Sequence, residues 1–188
     1  MTAQISDGLI FQERPFAIAF ADGEGLFNPK QHGLSPQMIS TACHRGYSCT
    51  YEVIAESLCL QRLHIGLPQQ QVEGPTLFEQ RPIYSEKARS FVYRGLAAPI
   101  PFTGGLLIAA DFIPELYIHG GFQQVWKYRE VHELLFESGR LVQARDCSSE
   151  MAHVRENMEN PLIGPLGFGD RRRLRQQVAG FLTRQYKL

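Results

Sequence analysis

Hydrophobic and polar residues alternate over much of residues 1–147, the two-residue period of strands that bury one face. Leu9 to Gln12 and Phe16 to Phe20 read as the first two strands, with Pro15 between them and Asp22-Gly23 as the turn that follows. Leu26 to Pro36, rich in Gly, Pro and Asn, reads as a long loop. From Met38 to Ile65 the pattern is β-like: Tyr47, Cys49, Tyr51 and Val53 alternate with smaller or polar neighbours. Leu58, Leu60 and Arg62 carry the period past a tight turn near Glu56-Ser57, which predicts a hairpin.

Between Gly66 and Pro101 the pattern weakens. Gln69-Gln70-Gln71, Gly74-Pro75 and scattered prolines predict a mobile linker between two halves, with only short strands such as Phe91 to Tyr93. Thr103-Gly104-Gly105 opens the second half. Leu106 to Ala109, Phe112 to His119, Trp126 to Phe136 and Leu141 to Ala144 are its expected strands, the last two flanking Ser138-Gly139. Val131, Leu134 and Leu135 would also suit a helical face, but Gly139 stands where a hairpin needs it.

The period changes only near the end. Ser148 or Ser149 is a good cap for a helix from Glu150 to Glu159, stopped by Pro161. Asp170 can cap a second, with Leu174, Val178, Phe181 and Leu182 on one stripe.

One phrase occurs twice, as His44-Arg45-Gly46-Tyr47 before Tyr51 and as His119-Gly120-Gly121-Phe122 before Trp126. The match resumes at Glu52 to Ser57 and Glu133 to Ser138, so segments of about 38–65 and 112–145 form an internal pseudo-repeat. These patterns predict an α+β fold, mainly antiparallel β, with two related β-meander halves and two C-terminal helices. Closure of the sheet into a barrel is left open. The division is a β-rich body at 1–147 and a helical appendage at 148–188.

With 188 residues, 44% of them hydrophobic, the chain can bury a core without disulfide or metal staples. No apolar run approaches a membrane span and the N-terminus lacks the pattern of a signal peptide, so a cytoplasmic protein is expected. Cys43, Cys49, Cys59 and Cys147 lack paired zinc or redox spacing and read as free, mostly buried thiols. Net charge is zero, yet Asp170 to Leu188 carries +5 and the body −5. The tail can therefore dock on its own body, or Arg171, Arg172, Arg173 and Arg175 can meet an anionic partner. Docking on the body is the simpler reading, and nucleic acid is a poorly supported partner.

The densest reactive tripeptide is Cys43-His44-Arg45, where a neighbouring cation could activate the thiol. Strand neighbours point to opposite faces, so a thiol–imidazole pair would need His119 instead of His44. His44 and His119 with His132 or Asp111 make a poor metal set, and neither a metal nor a cofactor is expected. Thr103-Gly104-Gly105 and the loop from Gly164 to Gly169 lack the setting of a phosphate loop. Aromatics mark the best binding surface: Tyr47, Tyr51, Phe122, Trp126 and Tyr128 gather around the two phrases, and Trp126 is the one expected to line a pocket.

The phrases Ser40-Thr41-Ala42-Cys43-His44-Arg45-Gly46-Tyr47 and Tyr117-Ile118-His119-Gly120-Gly121-Phe122 resemble those of a group of uncharacterised bacterial proteins. The resemblance spans roughly Gly8 to Arg145, and His44 stands where that group more usually has tryptophan. It implies a bacterial origin and the repeat, and no mechanism. The reading from sequence is a non-catalytic binding or interaction protein, of an immunity or adaptor kind, with a protein or small-molecule partner. Its expected ligand-binding residues are His44, Arg45, Tyr47, His119, Phe122 and Trp126, and its expected partner-binding residues are the four arginines of the tail. The alternatives are a small enzyme using Cys43 and His119 between the halves, or a ligand-binding barrel with Trp126 in its lumen.

Overall fold

The computed structural model describes residues 2–68, 73–156, 176, 178–184 and 186. Nine strands, β1 (Gly8–Phe11), β2 (Arg14–Glu24), β3 (Tyr47–Ile54), β4 (Ser57–Ile65), β5 (Ile83–Ser85), β6 (Ser90–Pro99), β7 (Thr103–Phe112), β8 (Tyr128–Glu137) and β9 (Arg140–Asp146), precede helix α1 (Ser148–Glu156). They form one sheet in the order β3-β1-β2-β7-β8-β9-β4-β6-β5, antiparallel except where β1 meets β3. Because β3 also pairs with β4, the run of strands returns on itself as a ring, which β9 joins to β4 through the single pair Arg140 and Ser57. The chain is thus mainly antiparallel β with helices at its C-terminal end, and residues 178–181 form part of the second helix.

Two cores hold the sheet. Leu9, Phe16, Tyr51, Leu58, Leu60, Leu63, Tyr93, Phe102, Leu106, Ile108, Leu134 and Phe136 belong to the larger one, and each such side chain contributes about 1.5–3 kcal/mol through burial. The smaller core lies on the opposite face of β7 and β8, where Leu107, Ala109 and Val131 meet Val125, Trp126, Met151 and Val154, with Val178 and Tyr186 of the tail. Strand β7 is therefore buried on both faces, which is why Leu106 to Ala109 reads as an unbroken apolar run. Helix α1 docks through Met151 and Val154, while the Asp146 carboxylate accepts from the Ser148 backbone and hydroxyl at 2.8 and 2.5 Å. That arrangement makes Ser148 the first helical residue and not a cap. The expected stop at Pro161 and cap at Asp170 lie outside the described residues.

Several expectations are corrected. Asp22-Gly23 is not a turn, since β2 runs on to Glu24 with Gly23 opposite Gly104. Both glycines sit at φ +152°, and a Cβ on Gly104 would fall 2.3 Å from Asp22 O and 2.9 Å from the Phe102 ring. The glycines thus let two strands and a buried ring come together. Strand structure between Met38 and Ile65 begins only at Tyr47. The expected strand from Phe112 to His119 is absent, because Pro114 starts a 3₁₀ turn over Pro114–Leu116. Trp126 belongs to another such turn, Val125–Lys127, ahead of β8.

The largest correction concerns Gly66 to Pro101. Its described part holds β5 and the ten-residue β6, whose Phe91, Tyr93, Leu96 and Ala98 enter the main core. Positive φ at Gly95 (62°) and Ala97 (45°) marks a bulge that shifts the inward parity from Tyr93 to Leu96. A strict two-residue period misses such a strand.

Candidate functional site

The N-terminal segment laces the two related phrases together. Gln4 N donates to Gly121 O at 2.8 Å, and Ile5 N to Ala42 O at 2.8 Å. The Gln4 side chain accepts from His44 N at 3.2 Å and donates to Thr41 O at 2.9 Å. The third residue of each phrase is in the left-handed region, Gly46 at φ 80° and Gly121 at φ 68°. The hairpins that follow turn at Ala55-Glu56 and Ser138-Gly139, so the positions aligned in sequence are offset by two residues at the turns.

Of the residues expected to bind a ligand, Phe122 and Trp126 line one cavity, while Arg45 and Tyr47 stand together at the start of β3. Arg45 pairs with Asp7, whose carboxylate also accepts from Cys49 N at 2.6 Å, and Arg45 Nε donates to Tyr47 O at 2.7 Å. Its guanidinium lies 4.5 Å from the centre of the Tyr47 ring, so Arg45 and Tyr47 brace the start of β3. His44 and His119 are exposed, the latter edge-on to Tyr117 at 4.9 Å. Cys43 Sγ donates to Tyr47 O at 3.4 Å, and among the described residues no hydrogen bond joins it to His119. Burial pushes the Cys43 thiol up, outweighing the Arg45 charge that the sequence suggested would activate it. All four thiols are free and buried.

Trp126 does line a cavity, of about 240 Å³, with Ala19, Phe20, Phe122, Gln123, Gln124 and Val125. Its ring is buried at the edge of the smaller core, while Phe122 is exposed. His132 stands against Phe11 and Phe16 and 3.2 Å from Glu130, and among the described residues no group of three or more His, Cys, Asp or Glu could hold a metal ion. Arg171, Arg172, Arg173, Arg175 and the loop from Gly164 to Gly169 lie outside the described residues.

A larger and more polar pocket, of about 580 Å³, lies where β3, β4, β6 and β5 run side by side. Its floor follows from strand register. Cys49, Leu63 and Tyr93 point into the main core, so their neighbours Ser48, Thr50, Arg62, His64, Val92 and Arg94 face the other way. Pairing sets them in two rows, Thr50 beside Arg62 beside Arg94, and Ser48 beside His64 beside Val92 beside Ile83. Ser85 and Ala88 of the β5–β6 hairpin contribute to the wall.

Two arginines directly opposite one another repel, at a cost on the order of 0.2–1 kcal/mol. Among the described residues neither Arg62 nor Arg94 has an ion pair, and the pocket lining includes no carboxylate. His64 adds no compensating or competing charge at neutral pH, because burial and then the Arg62 charge hold its pKa below the usual range. Its Nε2 lies 2.6 Å from the hydroxyl of the fully buried Ser90, which fixes the ring. The pocket therefore presents two unneutralised guanidinium groups with hydroxyls beside them, the donor set of an oxyanion site.

Sequence reading missed this site because Arg62 and Arg94 lie 32 positions apart and meet only through the β4–β6 register. The available signal was an arginine inside each of two apolar strands, Leu60 to Leu63 and Tyr93 to Leu96. Comparison of the chain with protein-family models, with curated proteins and with solved structures gave no match.

Proposed function

We propose that this is a non-catalytic binding protein that takes a small anionic ligand in the pocket between β3 and β5. The observation that carries the reading is the Arg62–Arg94 pair, side by side on adjacent strands with no acidic partner among the described residues. A bound anion would offset that repulsion by placing opposite charge between the two guanidinium groups. The broader sequence reading, an interaction protein of the adaptor or immunity kind, narrows here to ligand recognition. A cytoplasmic location goes with it, in keeping with four unpaired thiols.

The test is calorimetric titration with inorganic phosphate at low ionic strength. Saturable binding is expected, weakened at least tenfold in Arg62→Gln and in Arg94→Gln and reduced by added salt. Without phosphate, both variants should melt at or above the wild-type temperature, since each relieves a like-charge contact. Absence of saturable binding, or binding indifferent to both substitutions, would overturn the proposal.

A further inference from the structure

The pocket has two chemically different ends. The Arg62–Arg94 row is cationic, whereas the neighbouring row ends in Val92 and Ile83, and Ala88 of the β5–β6 turn also lines the pocket. Alternate residues along a strand are about 7 Å apart, so an anion held by the arginines lies one short alkyl length from the apolar end. Ile83 is 63% exposed, more than any other large apolar side chain among the described residues. Strand β5 gains little by presenting it to water, and its exposure at the rim of a cavity gives an apolar ligand group a surface to cover.

We infer that the ligand is an anionic amphiphile, a phosphomonoester whose oxyanion sits between Arg62 and Arg94 and whose compact apolar substituent lies over Val92, Ala88 and Ile83. Two guanidinium groups match a dianionic head better than a single carboxylate. Thr50, paired with Arg62, supplies a hydroxyl within the same row. The inference rests on the anion-binding reading and adds the second half of the molecule.

The experiment compares inorganic phosphate, hexyl phosphate and hexanoate by calorimetry against the wild-type protein, Ile83→Ser, Val92→Thr and Arg94→Gln. Hexyl phosphate should bind wild type at least tenfold more tightly than phosphate, the gain from burying about two methylenes. Ile83→Ser and Val92→Thr should each remove most of that gain, bringing the affinity for hexyl phosphate close to that of the same variant for phosphate. Val92→Thr keeps the side-chain shape and β-branching, so it guards against a folding defect in the first variant. Arg94→Gln should weaken both phosphates. Equal affinities for phosphate and hexyl phosphate would overturn the amphiphile while leaving anion binding intact. Tighter binding of hexanoate than of hexyl phosphate would overturn the phosphate head. Failure of all three probes to bind would overturn this inference and the anion site together.

Discussion

Glu133 is a carboxylate with no exposure to solvent, on the face of β8 that carries the smaller core. It accepts from Thr183 N at 3.0 Å and Arg184 N at 3.1 Å, and pairs with Arg145 at 3.4 Å. Burial alone would raise its pKa, but hydrogen bonds to the carboxylate, led by the backbone donors of Thr183 and Arg184, together outweigh that and hold it below the ordinary value of 4.5. A group whose pKa is lower folded than unfolded contributes stability that is full above the unfolded value and is lost as pH falls through the folded one. Glu133→Gln should therefore destabilise the protein by about 1.5–3 kcal/mol at pH 7, the worth of hydrogen bonds to a charged group. The deficit should shrink as pH falls below 4.5. Urea unfolding of both proteins at pH 7 and pH 4 checks the direction. The charge asymmetry along the chain suggested a tail docked on its acidic body; the contact at Glu133 is made by the backbone amides of Thr183 and Arg184, while Arg171, Arg172, Arg173 and Arg175 lie outside the described residues. Trp126, singled out among the aromatics gathered around the two phrases, does line a cavity, together with Phe122. Arg62 and Arg94 were not, because two residues in different strands become a pair only through register.

At the scale of elements, the hairpins β3–β4 and β8–β9 and helix α1 could be read from alternation, turn residues and a polar cap region, since each is fixed by neighbours in sequence. β6 and the end of β2 could not. Their patterns are broken by a bulge at Gly95 to Ala97 and by Gly23, and in both places a contact remote in sequence overrides the local signal. Gly23 and Gly104 are the clearest case: a turn signal when read alone, a close crossing under Phe102 when paired. Gly104→Ala should consequently cost more than the few tenths expected of a surface strand substitution. Its Cβ would meet Asp22 O and the Gly23 Cα at 2.3 and 2.6 Å, backbone atoms that cannot move independently of β2. A loss of at least about 2 kcal/mol is expected, combining overpacking with a φ that alanine resists. Thermal unfolding reads this directly, and a variant as stable as wild type would mean that the two strands are not clamped at this point.

At the scale of the molecule, the two cores are not separable layers. β7 sends Leu106 and Ile108 into the larger core and Leu107 and Ala109 into the smaller, and β8 does the same with Leu134 and Val131. Loss of either core would strip one face from both strands and leave their partner side chains without backing, so the cores should melt together. The chain carries a built-in reporter, because its single tryptophan, Trp126, is buried in the smaller core between β8 and α1. Far-ultraviolet circular dichroism follows the whole sheet, whereas tryptophan fluorescence follows only that region. In guanidinium titration the two signals should share one midpoint and one slope. An earlier fluorescence transition would show that α1 and the tail detach from a sheet that stays folded, and would break the coupling through β7 and β8. The proposed anion pocket lies on β3, β4, β5 and β6, away from this region. Phosphate should raise both midpoints equally, as a ligand does when it binds the native state of a single cooperative unit.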